Sequence, residues 1–561
     1  MDNPDFIIVG GGSAGALLAA RISEDPRVRV LLIEAGVDTP PGAIPGDIAD
    51  TFPSSTLNPH YFWPRLEAAR SANSPARPFP QARVMGGGSS VMGLWALRGM
   101  PSDYDAWAEA GADGWSWKDV LPIFRDLEKD ADRDATQSGG GTYPIQRLAR
   151  DEWPPFVRAI ESAALGRGLP FIADINEAPG EGFFPMPLSQ DGEGRASSAR
   201  VFLTNEVRRR ANLAIMPETT VTGLRFEGTR VVGVIVQRGG ETTRIGAREV
   251  VLCAGAIHSP AILLRSGIGP ADELRRLGVT PLVHRAGVGR NLQNHPYLHL
   301  ALSLPRRARL PRHVRRFAIA GIRLSSGASG CPRGDLLLFM IGRVSPRAYG
   351  PDIAMLGAAL YSPFSRGKVT LRDPDPGTPP QIEFGFFDDP RDPPRMIKAV
   401  RDAESLLLEP GVAATYHDAF LLPPVMSLHQ FNRPGLRGAS LAAAAKMVLN
   451  APPVISRFLL QQALRPGRWF ANRRDHAPLQ DAEILAAVAP MAHPIGTCRM
   501  GRPDDPDAVV DAACRVHGVG NLRVVDASVM PSIPSANTNL PTLMIAEKAA
   551  RLIRSHREAA A

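Results

Sequence analysis

The apolar run Phe6-Ile7-Ile8-Val9 leads directly into Gly10-Gly11-Gly12-Ser13-Ala14-Gly15, a spacing whose chemistry is the binding of a dinucleotide. Gly10 permits a tight turn, Gly12 removes the Cβ that would keep the backbone from a pyrophosphate, and Gly15 lets the following helix lie close to the sheet. The free N–H groups and positive dipole end of that helix then face the phosphates. A second apolar run, Val28 to Ile33, ends at Glu34, nineteen residues after Gly15 and placed to accept from a ribose 2′-OH. A carboxylate there repels a 2′-phosphate and so disfavours NADP. A glycine-rich turn alone is a weak signal, but strand, turn, helix, strand and terminal acid follow in order, so the reading is a βαβ unit that binds a dinucleotide.

A chain of 561 residues exceeds the size at which one core keeps growing, and two domains are expected. Hydrophobic residues make up 44% with no run long enough to span a membrane. Only five residues, polar or acidic, precede Phe6, which reads as no signal peptide and a cytoplasmic protein. The four cysteines, Cys253, Cys331, Cys498 and Cys514, have neither metal-ligand nor disulfide spacing and read as free thiols, Cys253 within a buried strand. No metal site is expected. The net charge of +8 is carried mainly by arginine, most densely at Arg306, Arg307, Arg309, Arg312, Arg315 and Arg316. That stretch lacks the interleaved aromatics of a single-strand binder, so it reads as a solvated face or the lip of a cleft, and no nucleic acid partner is expected.

Elements that must position the first loop follow along the chain. Thr39 to Pro80 is Pro-rich and irregular and leads into a second glycine cluster, Arg83-Val84-Met85-Gly86-Gly87-Gly88-Ser89-Ser90. Thr219 to Gly246 alternates in hydropathy across turn signals at Glu227-Gly228 and Gly239-Gly240, as in a small antiparallel meander. Val250 to Ala254 is continuously apolar, as expected of a parallel strand covered on both faces. From about Pro305 to Leu485 prolines alternate with strand-like pieces (Lys368 to Arg372, Gln381 to Phe384) and a helix-like piece (Asp392 to Leu408), which reads as an inserted second domain. Within it, Leu436 to Phe470 mixes apolar runs with Lys446, Arg457, Arg465 and Arg468. Pro452 and Pro453 break this stretch, and packing inside the second domain is expected rather than membrane contact. Asn521 to Asp526 is again a strand ending in an acid, and Asn539 to Ile553 a closing helix.

Four separated motifs, spanning nearly the whole chain, resemble the glucose-methanol-choline (GMC) oxidoreductases, FAD-dependent enzymes that mostly oxidise alcohols. They are the N-terminal unit with Glu34; Ala82 to Gly99, similar to the family's flavin-contacting loop; Gly255-Ala256-Ile257-His258-Ser259-Pro260 onward to Gly269; and His493-Pro494-Ile495-Gly496-Thr497-Cys498 with Asp526-Ala527 and Asn537-Thr538-Asn539-Leu540-Pro541-Thr542. The resemblance implies an α/β chain, α+β overall, in which a Rossmann-type FAD domain (1–304, completed by 486–561) carries a substrate domain on a mixed or antiparallel sheet (305–485). It places the cofactor against Gly10, Gly12, Ser13, Ala14, Gly15, Glu34 and Ala35. The second loop would add Arg83, Val84, Gly87, Ser90, Met92 and Gly93. Val221, Ala254, Gly255, Asp526, Ala527, Asn537, Pro541 and Thr542 complete the expected set. Three positions depart from the family. Met92 stands where relatives have Asn or His, Val91 where some carry a histidine bonded to the flavin, and Asn294 where Asp is common. With no nucleophile at Val91, the FAD is expected to be non-covalent.

The reaction implied is transfer of a hydride from a carbinol carbon to the flavin while a base takes the hydroxyl proton. His493 matches the family's catalytic histidine, and an ordinary imidazole is largely neutral at physiological pH. Asn537, forty-four residues on, matches the partner position and would donate to the alcohol oxygen. His258 and His295 read as structural, and Asp526 as a flavin contact or a helix cap. The segment Ser325-Ser326-Gly327 to Asp335 is more similar to the hydroxymethylfurfural and aryl-alcohol oxidase branch than to choline or glucose enzymes. The expected function is oxidation of a primary, aromatic or otherwise apolar alcohol to the aldehyde, with O2 or another electron acceptor. The rival readings are lyase or light-driven decarboxylase chemistry on the same scaffold, and a non-catalytic FAD-binding protein.

Overall fold

The computed structural model describes residues 3–133, 140–311, 313–421, 429–432, 435–464, 470–471 and 477–560. Five short strands form the first sheet in the order Leu213–Met216, Val30–Ile33, Phe6–Val9, Glu249–Leu252, Leu522–Val524, and every pair is parallel. Parallel strands need crossovers that cover both faces, which is why Phe6–Val9 and Val30–Ile33 are apolar and buried at every position. The chain leaves Phe6–Val9 to one side and later returns on the other, so a crevice opens at the carboxyl end of that strand, where ligands of such sheets collect.

Helix Ser13–Ile22 packs on the closing helix Asn539–Ala560. The closing helix runs past the expected end at Ile553, and Arg554 in this extension pairs with Glu24 at 2.7 Å. The meander forms as expected, from Thr220–Glu227, Arg230–Arg238 and Glu241–Gly246, with turns at Gly228 and Gly239-Gly240. All four cysteines are free thiols.

The second sheet is antiparallel throughout. Its order is Phe470–Ala471, Asp418–Leu421, Pro296–Ser303, Ile353–Leu360, Leu336–Ile341, Ala318–Leu324, Gly182–Pro185, with Ala489–Pro490 also paired to Pro296–Ser303. It draws Gly182–Pro185 and Pro296–Ser303 from the first expected segment and Ala489–Pro490 from the last. Backbone pairing across such distances leaves no mark in local composition. Helix Asp392–Leu408, found at its expected bounds, covers one face with Met396, Ala399, Val400, Ala403 and Leu407, an i, i+3, i+4, i+7, i+11 stripe. The other face, bearing Tyr297, Phe339, Met355 and Tyr361, packs on Leu94, Trp95, Leu97 and Ala536 from the nucleotide side. Glu67–Ala69 and Arg77–Pro78 join Lys368–Thr370 and Gln381–Glu383 in a small sheet that orders part of the region expected to be irregular.

The stretch after Leu436 is a helical hairpin, Leu436–Asn450 and Pro453–Leu464, broken at Pro452 and Pro453 as expected. The packing expected of it holds for one face only. Ala442 and Leu449 sit on Ala301, Tyr349, Ile353 and Phe420, while the opposite face is exposed. Arg312, Arg465 and Arg468 lie outside the described residues. No described helix is long and apolar enough to cross a membrane.

Candidate active site

A cleft of about 440 Å³ runs from the first glycine loop to His493 and Asn537. Gly10, Gly12, Ser13, Ala14, Glu34 and Ala35 line it, with Arg83, Val84, Gly87, Met92 and Gly93 from the second loop and Val221, Ala254 and Gly255 from the meander side. Asp526, Ala527, Asn537, Thr542 and His493 complete the expected residues found there. Gly15, Ser90 and Pro541 are expected at the site but do not line the cleft. A Cβ on Gly15 would lie 1.9 Å from the Gly10 carbonyl, so this glycine serves helix-to-turn packing. Ser90 is fully buried and donates to the Met85 carbonyl at 2.7 Å, closing the second loop. Pro541 is buried in the first turn of the closing helix.

The glycine loop is braced by the acid expected to hold the ribose. Glu34 Oε2 accepts from Gly11 N–H at 2.7 Å and Oε1 from Gly36 N–H at 2.8 Å. Burial raises its pKa against these bonds. Each oxygen keeps acceptor capacity toward the cleft. Asp526 does the capping work weighed for it: Oδ2 accepts from Gly255 N–H at 2.8 Å and Ser259 Oγ–H at 2.6 Å, and Oδ1 from Ser528 N–H at 2.8 Å. It thereby ties the last parallel strand to the start of helix Gly255–Arg265. Ser13 Oγ donates to Asn539 Oδ1 at 2.7 Å, fixing the two helix N-termini beside each other at the loop.

An FAD fits this cleft on two observations. A Cβ on Gly12 would meet nothing nearer than Gly87 Cα at 3.9 Å, so both loops leave room for a ligand at the helix start. His258 lines the cleft with a buried Nε2 that has no hydrogen-bond partner among the described residues, its ring tilted 32° against Trp63 at 4.2 Å between centroids, and burial pushes its pKa down to about 3. Arg83 lies over the same Trp63 ring at 5.3 Å. Sequence reasoning did not single out Trp63, which comes from the irregular region and carries no motif.

At the far end His493 and Asn537 meet as expected, with Asn537 Nδ2 3.0 Å from His493 Nε2. The rest of this network was not anticipated. His295 Nε2 is 3.1 Å from the Tyr361 carbonyl, an acceptor only, so that nitrogen carries the proton. His295 Nδ1 is then a lone pair, and it lies 3.0 Å from His493 Nδ1, which must donate. His493 Nε2 is therefore left unprotonated and receives the Asn537 amide. Tyr361 O–H closes the ring by donating to Asn537 Oδ1 at 3.1 Å, while its own ring stacks on His295 at 4.2 Å and 4°. Asn294, where Asp is common, accepts from the backbone N–H groups of His295 and His493 and donates to the Met491 carbonyl at 2.5 Å. A carboxylate could not make that last bond. Burial lowers the His493 pKa to about 3 and that of His295 well below its ordinary value, so both are neutral at physiological pH.

A doubly wound nucleotide sheet, a dinucleotide cleft and, at its end, a neutral imidazole whose unprotonated Nε2 accepts from an amide define an oxidoreductase that works through a bound dinucleotide. Profiles described as GMC oxidoreductase match residues 4–297 and 363–546. The chain is 40% identical to a 5-(hydroxymethyl)furfural oxidase of Methylovorus sp., covering 98% of each chain. It is 34% identical to the mitochondrial choline dehydrogenase of Mus musculus, over 99% of this chain and 90% of that one. It superposes on the crystal structure of pyridoxine 4-oxidase from Mesorbium loti with a TM-score of 0.79 at 30% identity, covering 99% of this chain and 100% of that one. The chain belongs to the GMC oxidoreductase family and is an FAD-dependent oxidoreductase acting on CH–OH donors.

Proposed function

We propose that this enzyme oxidises a primary aromatic or otherwise apolar alcohol to the aldehyde, with His493 as the base. The observation that carries this reading is the chain of hydrogen bonds from the Tyr361 carbonyl through His295 to His493, because it leaves His493 Nε2 as an acceptor facing the cleft. FAD, when bound, supplies the hydride acceptor. His493 takes the hydroxyl proton at Nε2. Asn537 Nδ2 has a second N–H to donate to the alcohol oxygen as negative charge develops there.

The apolar character of the substrate rests on the wall beside these groups. Leu94 and Trp95 line the cleft, and Trp95 packs edge to face on Phe339 at 4.8 Å. Trp95 Nε1–H is buried without a partner, a donor placed for a heteroatom on an aromatic alcohol. Held neutral and open to the cleft, His493 favours oxidation over lyase or light-driven decarboxylase chemistry. We also infer that FAD is held non-covalently. Val91 is buried among Ile48, Tyr61 and Val84, and residues 83–93 offer no histidine, cysteine or tyrosine.

A panel of primary alcohols mixed anaerobically with the purified holoenzyme, then exposed to air, tests the reading. Aromatic alcohols are expected to bleach the flavin, and the return of colour in air reports whether O2 serves as acceptor. A flavin that stays oxidised with every alcohol would refute the proposal.

A further inference from the structure

Among the described residues, every large apolar side chain more than half exposed lies in the hairpin Leu436–Asn450 and Pro453–Leu464. They are Leu436 (89%), Met447 (70%), Val454 (81%), Ile455 (51%) and Phe458 (59%). Helical geometry puts Leu436 and Met447, eleven residues apart, on one stripe. That stripe lies opposite Gly438, Ala442 and Leu449, which are buried toward the sheet. On the second helix Val454, Ile455 and Phe458 point outward while Ser456 is buried and Leu460 packs inward. A helix face that merely meets water carries polar side chains, and large apolar side chains gathered exposed on one hairpin mark an interaction surface.

The charge around it is of one sign. The described hairpin, residues 435–464, carries Arg437, Lys446 and Arg457 and no aspartate or glutamate. The carboxylates that reach the hairpin from the sheet are buried and engaged: Asp352 with Lys446 at 3.1 Å and Arg309 at 2.8 Å, and Asp418 with Arg457 at 3.8 Å. Arg309 also donates to Asn450 at 3.0 Å, which ties the turn bearing the exposed Arg306 and Arg307 to the end of the first hairpin helix. Arg437 is exposed on that helix as well.

We propose that this hairpin docks the enzyme peripherally on an anionic lipid surface. Its apolar stripe enters the boundary between headgroups and acyl chains, and the flanking arginines face the lipid phosphates. Apolar area combined with basic charge is what holds an interfacial helix on anionic lipid, and neither a spanning segment nor an acyl anchor is required. A second copy of the chain is a poorer occupant. A two-fold contact through this face would bring the exposed Arg306, Arg307 and Arg437 of the two copies together.

The test is flotation of the FAD-loaded enzyme with vesicles of phosphatidylcholine, with and without phosphatidylglycerol, at low and physiological salt. The protein is expected to float with the anionic vesicles at low salt and to bind several-fold more weakly when either the anionic lipid is omitted or salt is raised. The Val454→Glu/Phe458→Glu double variant changes exposed side chains only. It is expected to lose roughly tenfold or more in binding while keeping its flavin and its anaerobic reduction by alcohol. A wild-type protein that stays below the anionic vesicles at low salt, or flotation unchanged in the double variant, would overturn the proposal. So would a dimer in sedimentation velocity that the double variant dissolves, which would assign the face to a second copy.

Discussion

Replacing His295 probes the network that sets the base. His295 does not itself line the cleft and acts through His493, which does, so it is a positioning residue. His295→Leu removes the only hydrogen-bond acceptor that His493 Nδ1–H has among the described residues. A buried donor without a partner costs about 1–3 kcal/mol. The imidazole can escape that cost by moving its proton to Nε2, and a ring protonated there cannot accept the alcohol proton. At about 1.4 kcal/mol per tenfold, the expected loss in the rate of anaerobic flavin reduction is roughly 5- to 150-fold. His295→Asn puts a side-chain oxygen near the place of Nδ1 and is expected to recover most of the rate. Flavin content and melting temperature check that both variants fold. Stopped-flow reduction by the best alcohol supplies the rates. A Leu variant as fast as wild type, or Leu and Asn variants equally slow, would refute the tautomer argument.

Asn537→Ala is expected to cost about 2–4 kcal/mol in the same assay, the range for one donor to a developing oxyanion. Combined with loss of His493 the effect should be less than additive, since both groups act on one oxygen; additive losses would show that they act separately. The flavin should leave the protein on acid or heat denaturation, and a fluorescent protein band on a denaturing gel would disprove non-covalent binding. His258 and His493 are held near about 3 and His299 near about 4 by burial, whereas unfolded histidines titrate near about 6.5. The unfolded chain thus binds more protons below that pH, so stability is full above about 6.5 and declines as pH falls toward the folded values. Melting temperature should be lower at pH ~5 than at pH ~7, and a flat profile would contradict the burial of these rings.

The parts of the site that depend on local sequence were legible. Gly10, Gly12 and Gly15 fall within six residues, and their spacing, together with the flanking strands, the helix and the terminal Glu34, reads as a phosphate-binding loop. The helix at Asp392–Leu408 and the meander were legible for the same reason, because hydropathy period and turn residues are near neighbours. His493 and Asn537 were reached through motif resemblance, not through any periodicity. What gives His493 its protonation pattern was hidden, since His295 just precedes one strand of the antiparallel sheet, Tyr361 just follows another, and both meet it only in the fold. Asn294 looked like a mere departure from a common Asp until its amide N–H was seen to donate to the Met491 carbonyl. Of the hairpin only one packed face was legible: Pro452 and Pro453 argued for packing over an interfacial helix, and exposure of the other face depends on what lies opposite, which sequence does not state.

The central claim is that His493 accepts the alcohol proton. The most direct test is stopped-flow reduction of the flavin in His493→Ala against wild type, anaerobically, with the alcohol that reduces the wild type fastest. The variant is expected to keep its FAD and to be reduced roughly 10²–10⁴-fold more slowly, the range for a lost general base. Reduction at the wild-type rate would contradict the account and return weight to lyase or decarboxylase chemistry.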